Sequence, residues 1–461
     1  MNKIPVIAIF DVGKTNKKLL LFDEQYKLVH EQSQQLNETI DEDGFACEDV
    51  HALTQWIRHS FDALLEDKCF AVKAVNFSAY GASFVYLDEA LHVFLPLYNY
   101  LKPYSPELQK QFYNTYGGET RMTQQTASPV LGNLNSGMQL YRLKYEKPAE
   151  FAHIKYALHL PQYVSFILTR KVYADITSIG CHTNLWDFEN NRYHFWVNKE
   201  GIDTKLASLL NCESIAGYVD KTIPVGVGLH DSSAALIPYL AAFREPFILL
   251  STGTWCISLN PFNHSPLSDE ELQQDCLCYL TYQGVSVKAS RVFAGYEHEQ
   301  QIKILSGHFN KPINYFATIA YDASFTINPS SQKVVNGASG KKAMVSASGF
   351  SNRKLDEFDT YEAAYHQFIF DLVEQQVTST QLVLHDTPVK RIFVDGGFSK
   401  NAVYMHLLAE VMPGMEIFAA SVPQASALGA ALVMHHHWNS QQLPSDIIRL
   451  TLFTSAPKAP L

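Results

Sequence analysis

Two short apolar runs, residues 6–10 (VIAIF) and 19–22 (LLLF), flank a polar stretch, DVGKTNKK, and predict a β-hairpin at the start of the chain. Residues 28–42 are polar and read as a third strand running into a loop. Residues 47–65 place Leu53, Trp56, Ile57, Phe61 and Leu64 on one helical face. Residues 71–78 (AVKAVNFS) read as a strand ending at Ser78, followed by a Tyr80-Gly81 turn and a further strand at 83–87. Helical patterns occupy 106–115, 136–145 and 161–168, and a Ser/Thr-rich stretch, DITSIGCHTNLWD, follows at 175–187. In IPVGVGLHDSSAALIPYL (223–240) residues 225–227 read as a strand edge that Gly228 breaks, His230-Asp231-Ser232-Ser233 follows, and residues 234–237 open a helix. Residues 247–260, FILLSTGTWCISLN, then repeat the opening pattern of strand, polar Gly-containing turn and strand. Helices at 296–305, 361–384, 401–411 and 424–435 alternate with strands at 279–287, 392–394 and 417–420; the 455–461 tail reads as frayed.

Strand, polar turn and strand occurring twice predicts a duplicated α/β fold in two domains, 1–242 and 243–461, joined near 241–246. A chain of 461 residues also exceeds the roughly 250–300 that one hydrophobic core serves. With 47% apolar and 18% charged residues the composition is that of a globular protein. A net charge of −10 argues against a nucleic-acid partner, so an anionic ligand needs a local positive site. No apolar run approaches the roughly 20 residues of a membrane span, and Asp11 interrupts the first apolar run too early for a signal peptide. Seven cysteines without zinc-site spacing suit free thiols in a reducing cytoplasm. His435-His436-His437 point to different sides of a helix and read as surface histidines.

The chemistry gathers at the turns. In the first, Asp11 offers a carboxylate, Gly13 a close backbone approach, Thr15 and Asn16 hydrogen-bonding groups, and Lys14, Lys17 and Lys18 positive charge. Together these form a phosphate cradle with a carboxylate able to hold Mg²⁺. A P-loop is a poor match, because Ala8 stands where its first glycine belongs and a strand, not a helix, follows. Asp231, at a strand-to-helix junction, reads either as a helix N-cap or as a general base with His230 beside it. Asp395-Gly396-Gly397 ends a strand where backbone can approach a ligand closely. Tyr98, Asn99, Tyr100 and Tyr104 form an aromatic, hydroxyl-rich cluster suited to a sugar or to core packing.

In order, these features resemble the FGGY carbohydrate kinases of the actin/hexokinase/Hsp70 superfamily over nearly the whole chain. The resemblance implies a two-domain actin-like (ribonuclease H-like) ATPase fold, with duplicated βββαβα units and a cleft between domains. DVGKTNKKLLLFD resembles the first phosphate motif, placing phosphate contacts on Gly13, Lys14, Thr15, Asn16 and Lys18 and Mg²⁺ at Asp11. VGLHDSSAAL resembles the motif of the catalytic aspartate, which makes Asp231 the base. LLSTGTWCISL resembles the second phosphate motif, placing contacts on Gly253 and Thr254. FVDGGFSKNAVYMHLLAEVM and ASALGAALV resemble the adenosine segment, placing contacts on Gly396, Gly397 and Asn401. Within the family the chain is most similar to rhamnulokinases, then fuculokinases, which implies sugar contacts at Tyr80, Gly81, His230 and Asp231. The departures are Lys14 for a small residue, Asn16 for a hydroxyl residue, Tyr80 in a Trp-Gly position, and Thr281-Tyr282-Gln283 in place of an Asn-Glu segment. The implied activity is ATP-dependent phosphorylation of a ketose or 6-deoxyketose such as L-rhamnulose or L-fuculose. The departures leave open another sugar or polyol kinase, or a sugar-binding regulator without turnover. The implied partner is a small sugar, with no nucleic acid or membrane, and a homodimer is left open.

Overall fold

The computed structural model describes residues 3–325, 327, 348–422 and 424–454. The 455–461 tail lies outside them.

The first unit begins with β1 (Ile4–Val12), β2 (Lys17–Phe22) and β3 (Leu28–Gln34). They form an antiparallel meander, followed by α1 (Val50–Glu66), capped by Asp49, and β4 (Phe70–Ala79). Residues 28–42 are thus a strand ending at Gln34 and a separate short one, Glu38–Ile40. β4 lies parallel to β1 on its other side. Beyond it come β5 (Ile215–Val219), β6 (Ile223–Gly226) and the two-residue β7 (Leu229–His230), which leads into α2 (Asp231–Ala242). The sheet order is β5-β6-β4-β1-β2-β3, with β7 pairing β4. Val6 to Phe10 are fully buried, as befits a central strand covered on both faces, which reads as an unbroken apolar run.

The second unit repeats this plan. β8 (Phe247–Thr252), β9 (Cys256–Asn260) and β10 (Ser286–Val292) form the meander. After α3 (Ala294–His308) and α4 (Tyr361–Leu384), β11 (Arg391–Gly396) runs parallel to β8. α5 (Ala402–Val411) and β12 (Glu416–Ser421), parallel to β11, complete the repeat. The chain then carries α6 (Ala425–Val433) and ends on β13 (Arg449–Phe453), antiparallel to β12. Within a seven-stranded sheet the order runs β10-β9-β8-β11-β12-β13; with the helix Leu160–Thr169 following β4 in the first unit, the duplicated βββαβα plan is present in both halves.

By compactness the first unit comprises Met1–Ala242 together with Cys278–Ser286 and Pro423–Ile447. The compact units thus depart from a single cut at 242/243 by two segments of the second half, one carrying α6, that pack with the first unit. The reason for the second is close packing: a Cβ on Gly429 of α6 would lie 1.9 Å from the Ala234 carbonyl oxygen of α2. Only a stripe of small residues lets these helices approach so nearly. His435, expected at the surface, is buried, with Nδ1 2.7 Å from the Tyr26 hydroxyl; His436 and His437 are exposed. None of the seven cysteines is in a disulfide. Among the described residues no helix is long and apolar enough to cross a membrane.

Candidate active site

Parallel pairing in the first unit brings three strand ends to one level. Asp11 of β1 pairs with Ser78 of β4, and Ser78 pairs with Leu229 of β7, so Asp231 follows at the same edge. Carboxyl ends of parallel strands are where open α/β sheets bind ligands. Asp231 is the first residue of α2, and its Oδ1 accepts from the next residue, Ser232, at N (2.6 Å) and Oγ (3.3 Å). A capping carboxylate would bond two or three residues on, so the N-cap alternative fails and the carboxylate faces outward from the junction. Burial pushes its pKa up to about 6. Asp11 is likewise raised to about 6, first by burial and then by the negative charge of Asp231, and both its oxygens accept from Ser426 Oγ at 3.2 Å.

His230 sits between these groups and the Tyr80-Gly81 turn. Its Nε2 is 3.3 Å from Asp231 Oδ1 and 3.1 Å from Cys181 Sγ, and its ring stacks on Tyr279 with centroids 5.5 Å apart. Its backbone N–H donates to Thr177 Oγ1 (3.0 Å), itself held by the fully buried Asp175. Burial lowers the His230 pKa to about 4, so the ring is neutral at pH 7 and leaves Asp231 basic. At Gly81 a Cβ would fall 2.8 Å from His230 Cδ2 and 3.1 Å from Cys181 Sγ. Glycine there lets the turn pack directly against His230 and Cys181. Cys181, Tyr279 and Asp175 were not singled out as site residues, although the Ser/Thr-rich 175–187 stretch carries two of them.

The expected role of Tyr80 needs correction. It is buried, and its hydroxyl donates to Glu48 (3.0 Å), so that group is not offered to a ligand. Tyr100, 6.1 Å away ring to ring, is half-buried, and its pKa is raised by burial and by the charge of Asp231. Of the aromatic cluster it is the member beside the carboxylate, whereas Tyr98 bonds Glu42, Asn99 the Ala46 carbonyl and Tyr104 the Met138 carbonyl.

The lysines of the first turn are engaged as well. Lys17 is buried and paired with Glu48, which Lys14 approaches at 3.8 Å while bonding Glu38 at 2.8 Å. Lys18 contacts Glu31 (3.0 Å) and Gln424 (3.1 Å). Glu48 was not anticipated; it ties the phosphate-type turn to Tyr80. Gly13 closes the turn, donating to the Asn16 carbonyl (3.0 Å), with Thr15 and Asn16 exposed at its tip.

In the second unit Gly253 and Thr254 are exposed at the β8–β9 turn. The start of α3 packs on that turn so tightly that a Cβ on Gly295 would lie 1.8 Å from the Gly253 carbonyl oxygen. Gly396, at φ +89°, would bring a Cβ 1.9 Å from the Thr252 carbonyl oxygen, which also accepts the Gly397 N–H (2.8 Å). A cavity of about 490 Å³ opens here. Gly253, Gly295 and Gly397 form its backbone wall, Phe316, Ala317 and Ile319 an apolar wall, and His298, Lys400 and Asn401 its polar edge. An apolar slot with few polar groups and bare backbone suits a nucleoside with phosphates attached. Gly295 and His298 escaped the sequence reading, although Ala294-Gly295 opens a helix directly after a strand.

Two duplicated units with strand-end carboxylates define a phosphotransferase on the two-domain actin-like ATPase fold. Residues 6–237 match the FGGY family of carbohydrate kinases, N-terminal domain, and residues 244–442 match the carbohydrate kinase FGGY, C-terminal domain. The chain belongs to the FGGY family of carbohydrate kinases, enzymes that phosphorylate small sugars and use ATP. A rhamnulokinase of Klebsiella pneumoniae (strain 342) is 24% identical over 415 residues, 84% of this chain and 79% of the relative. Among solved structures, a carbohydrate kinase from Novosphingobium aromaticivorans superposes with a TM-score of 0.75 at 21% identity, covering 98% of this chain and 95% of the other. A ligand-bound xylulose kinase from Lactobacillus acidophilus gives 0.76 at 16% identity, covering 99% and 94%.

Proposed function

We propose that the chain transfers the γ-phosphoryl group of ATP to a hydroxyl of a ketose or 6-deoxyketose, such as L-rhamnulose or L-fuculose, with Asp231 as general base. The observation that carries this is Asp231 itself: a helix-start carboxylate not spent on capping, beside a neutral His230, at the strand edge it shares with Asp11. The sugar lies beside Gly81 and Asp231, with Tyr100 next to it. His230 orients a sugar hydroxyl. Asp231 takes the proton from the attacking hydroxyl as its oxygen bonds to phosphorus and the bond to ADP breaks. Gly13, Lys14, Thr15, Asn16 and Lys18, with Gly253 and Thr254, contact the phosphates; Gly396, Gly397 and Asn401 contact the nucleoside.

Mg²⁺ fits the residues present. Among the described residues no group of three or more His, Cys, Asp or Glu side chains gathers around one point, and Mg²⁺ needs only one or two carboxylates beside phosphate oxygens and water. Asp11, already raised by the charge of Asp231, is the group to hold it, and bound there the ion neutralises phosphate charge. Seven cysteines without a disulfide favour a reducing compartment, the cytoplasm. The 6-deoxyketose rests on likeness to a rhamnulokinase; the likeness to a xylulose kinase favours testing unsubstituted ketoses too.

The test is coupled ADP release over a panel of ketoses, deoxyketoses and polyols, then the Asp231→Asn variant with the best substrate. Turnover should fall by about 10²–10⁴. Near-normal turnover of a folded D231N protein rejects the base assignment, and ADP release indifferent to every sugar rejects the kinase reading.

A further inference from the structure

His298 of α3 lines the cavity of the second unit, and the hydrogen bonds behind it set its tautomer. Asn401 caps α5, its Oδ1 accepting the Tyr404 N–H at 3.1 Å. That bond assigns the orientation of the amide, so its Nδ2 donates to the Tyr365 hydroxyl at 2.7 Å. A hydroxyl that accepts from Asn401 has its own proton left for its other neighbour, His298 Nε2, 3.0 Å away. Nε2 is therefore an acceptor. Burial lowers the His298 pKa to about 4, so the ring is neutral at pH 7 and carries its one proton on Nδ1. Phe368 stacks on the ring while Phe316 and Phe398 meet it edge-on, which fixes its plane. Among the described residues the hydrogen bond of the His298 ring is the one at Nε2, and the half-buried residue lines the cavity.

We infer that His298 is a nucleotide-recognition residue whose Nδ1–H donates to an acceptor on the nucleoside half of ATP or ADP, a ribose oxygen or a base ring nitrogen. Tyr365 and Asn401 are positioning residues that hold the tautomer. This rests on reading the cavity as the nucleotide site. It also moves part of the role expected of Asn401 one relay further, because the carbonyl and one N–H of that amide are already committed.

The experiment measures ADP binding to the full-length protein by calorimetry at pH 7.5. His298→Phe keeps a ring and removes the donor; ADP binding should weaken about five- to tenfold, the worth of one hydrogen bond. The KM for the sugar and the melting temperature should stay near wild type. Tyr365→Phe keeps the packing but frees the tautomer, and should weaken ADP binding about threefold; it also serves if H298F does not fold. Against 2′,3′-dideoxy-ADP, disappearance of the H298F effect assigns the acceptor to a ribose hydroxyl, and its persistence assigns it to the base or the ribose ring oxygen. ADP affinity unchanged in the folded variants overturns the inference. A wild-type protein that binds no ADP overturns the reading of the cavity instead.

Discussion

Replacing Asp231 by Asn should lower turnover by about 10²–10⁴ and at the same time stabilise the protein. The carboxyl has a pKa of about 6 in the fold against an ordinary 3.8, because its charged form is desolvated. At 1.36 kcal/mol per pH unit, the charged carboxylate costs the native state on the order of 3 kcal/mol at pH 7. The side chain is 37% exposed, and solvent screening reduces this to about 1 kcal/mol. Asparagine is isosteric and keeps an oxygen for the Ser232 N–H, so little else is lost. A gain of about 1 kcal/mol in a unit of this size corresponds to roughly 2–4 °C in melting temperature. The pH dependence supplies the sign. Between 3.8 and 6 the folded state binds more protons at this group than the unfolded state, so wild-type stability falls as pH rises through that window. The advantage of D231N should therefore be absent near pH 4 and complete above pH 7. Thermal melts of both proteins from pH 4 to 8, without ligand, measure it. A D231N protein less stable than wild type at pH 7.5, or an advantage independent of pH, would refute the argument that the base is held charged against its surroundings.

Two further outcomes follow from the same geometry. The kcat/KM for the sugar should rise with pH through about 6 and level off above 7, because the base must be deprotonated; the midpoint belongs to the coupled Asp11–Asp231 pair. His230, near 4, adds no limb there, and a profile flat from pH 5 to 8 would exclude Asp231 as base. Gly81→Ala places a Cβ 2.8 Å from His230 Cδ2 and must displace the ring. It should lower kcat/KM for the sugar about 10²-fold, as misplacement of a catalytic group by about an ångström does, while ADP affinity is unchanged; steady-state kinetics and calorimetry check the split.

Much of the fold was legible because its central strands are covered on both faces. β1, β2, β8 and β11 appear as short apolar runs ending in polar turns, and those turns carry Asp11, Gly253 and Gly396. What escaped depends on partners far along the chain. Glu48 looks like one more solvated acid in a polar stretch, yet it is buried against Lys17, 31 residues away in sequence, and Tyr80, 32 residues away. Lys17 itself has the local pattern of a surface lysine. The edge of β6 shows at residues 225–227, but Asn76, which accepts the Gly228 N–H and donates to the Ala430 carbonyl and so helps hold that region, lies far off in sequence.

By itself the sequence determined the periodicities, the two copies of strand, polar turn and strand, and the placing of Asp231 at a strand-to-helix junction, since backbone geometry and burial leave a local imprint. The tertiary structure decided which of the candidate polar groups are spent on one another. Tyr80, Lys17 and all but one N–H of the Asn401 amide are engaged internally, whereas Asp231, Tyr100 and His298 are only half-buried. A hydrogen bond or ion pair is fixed by distance in space, and no local pattern carries that distance.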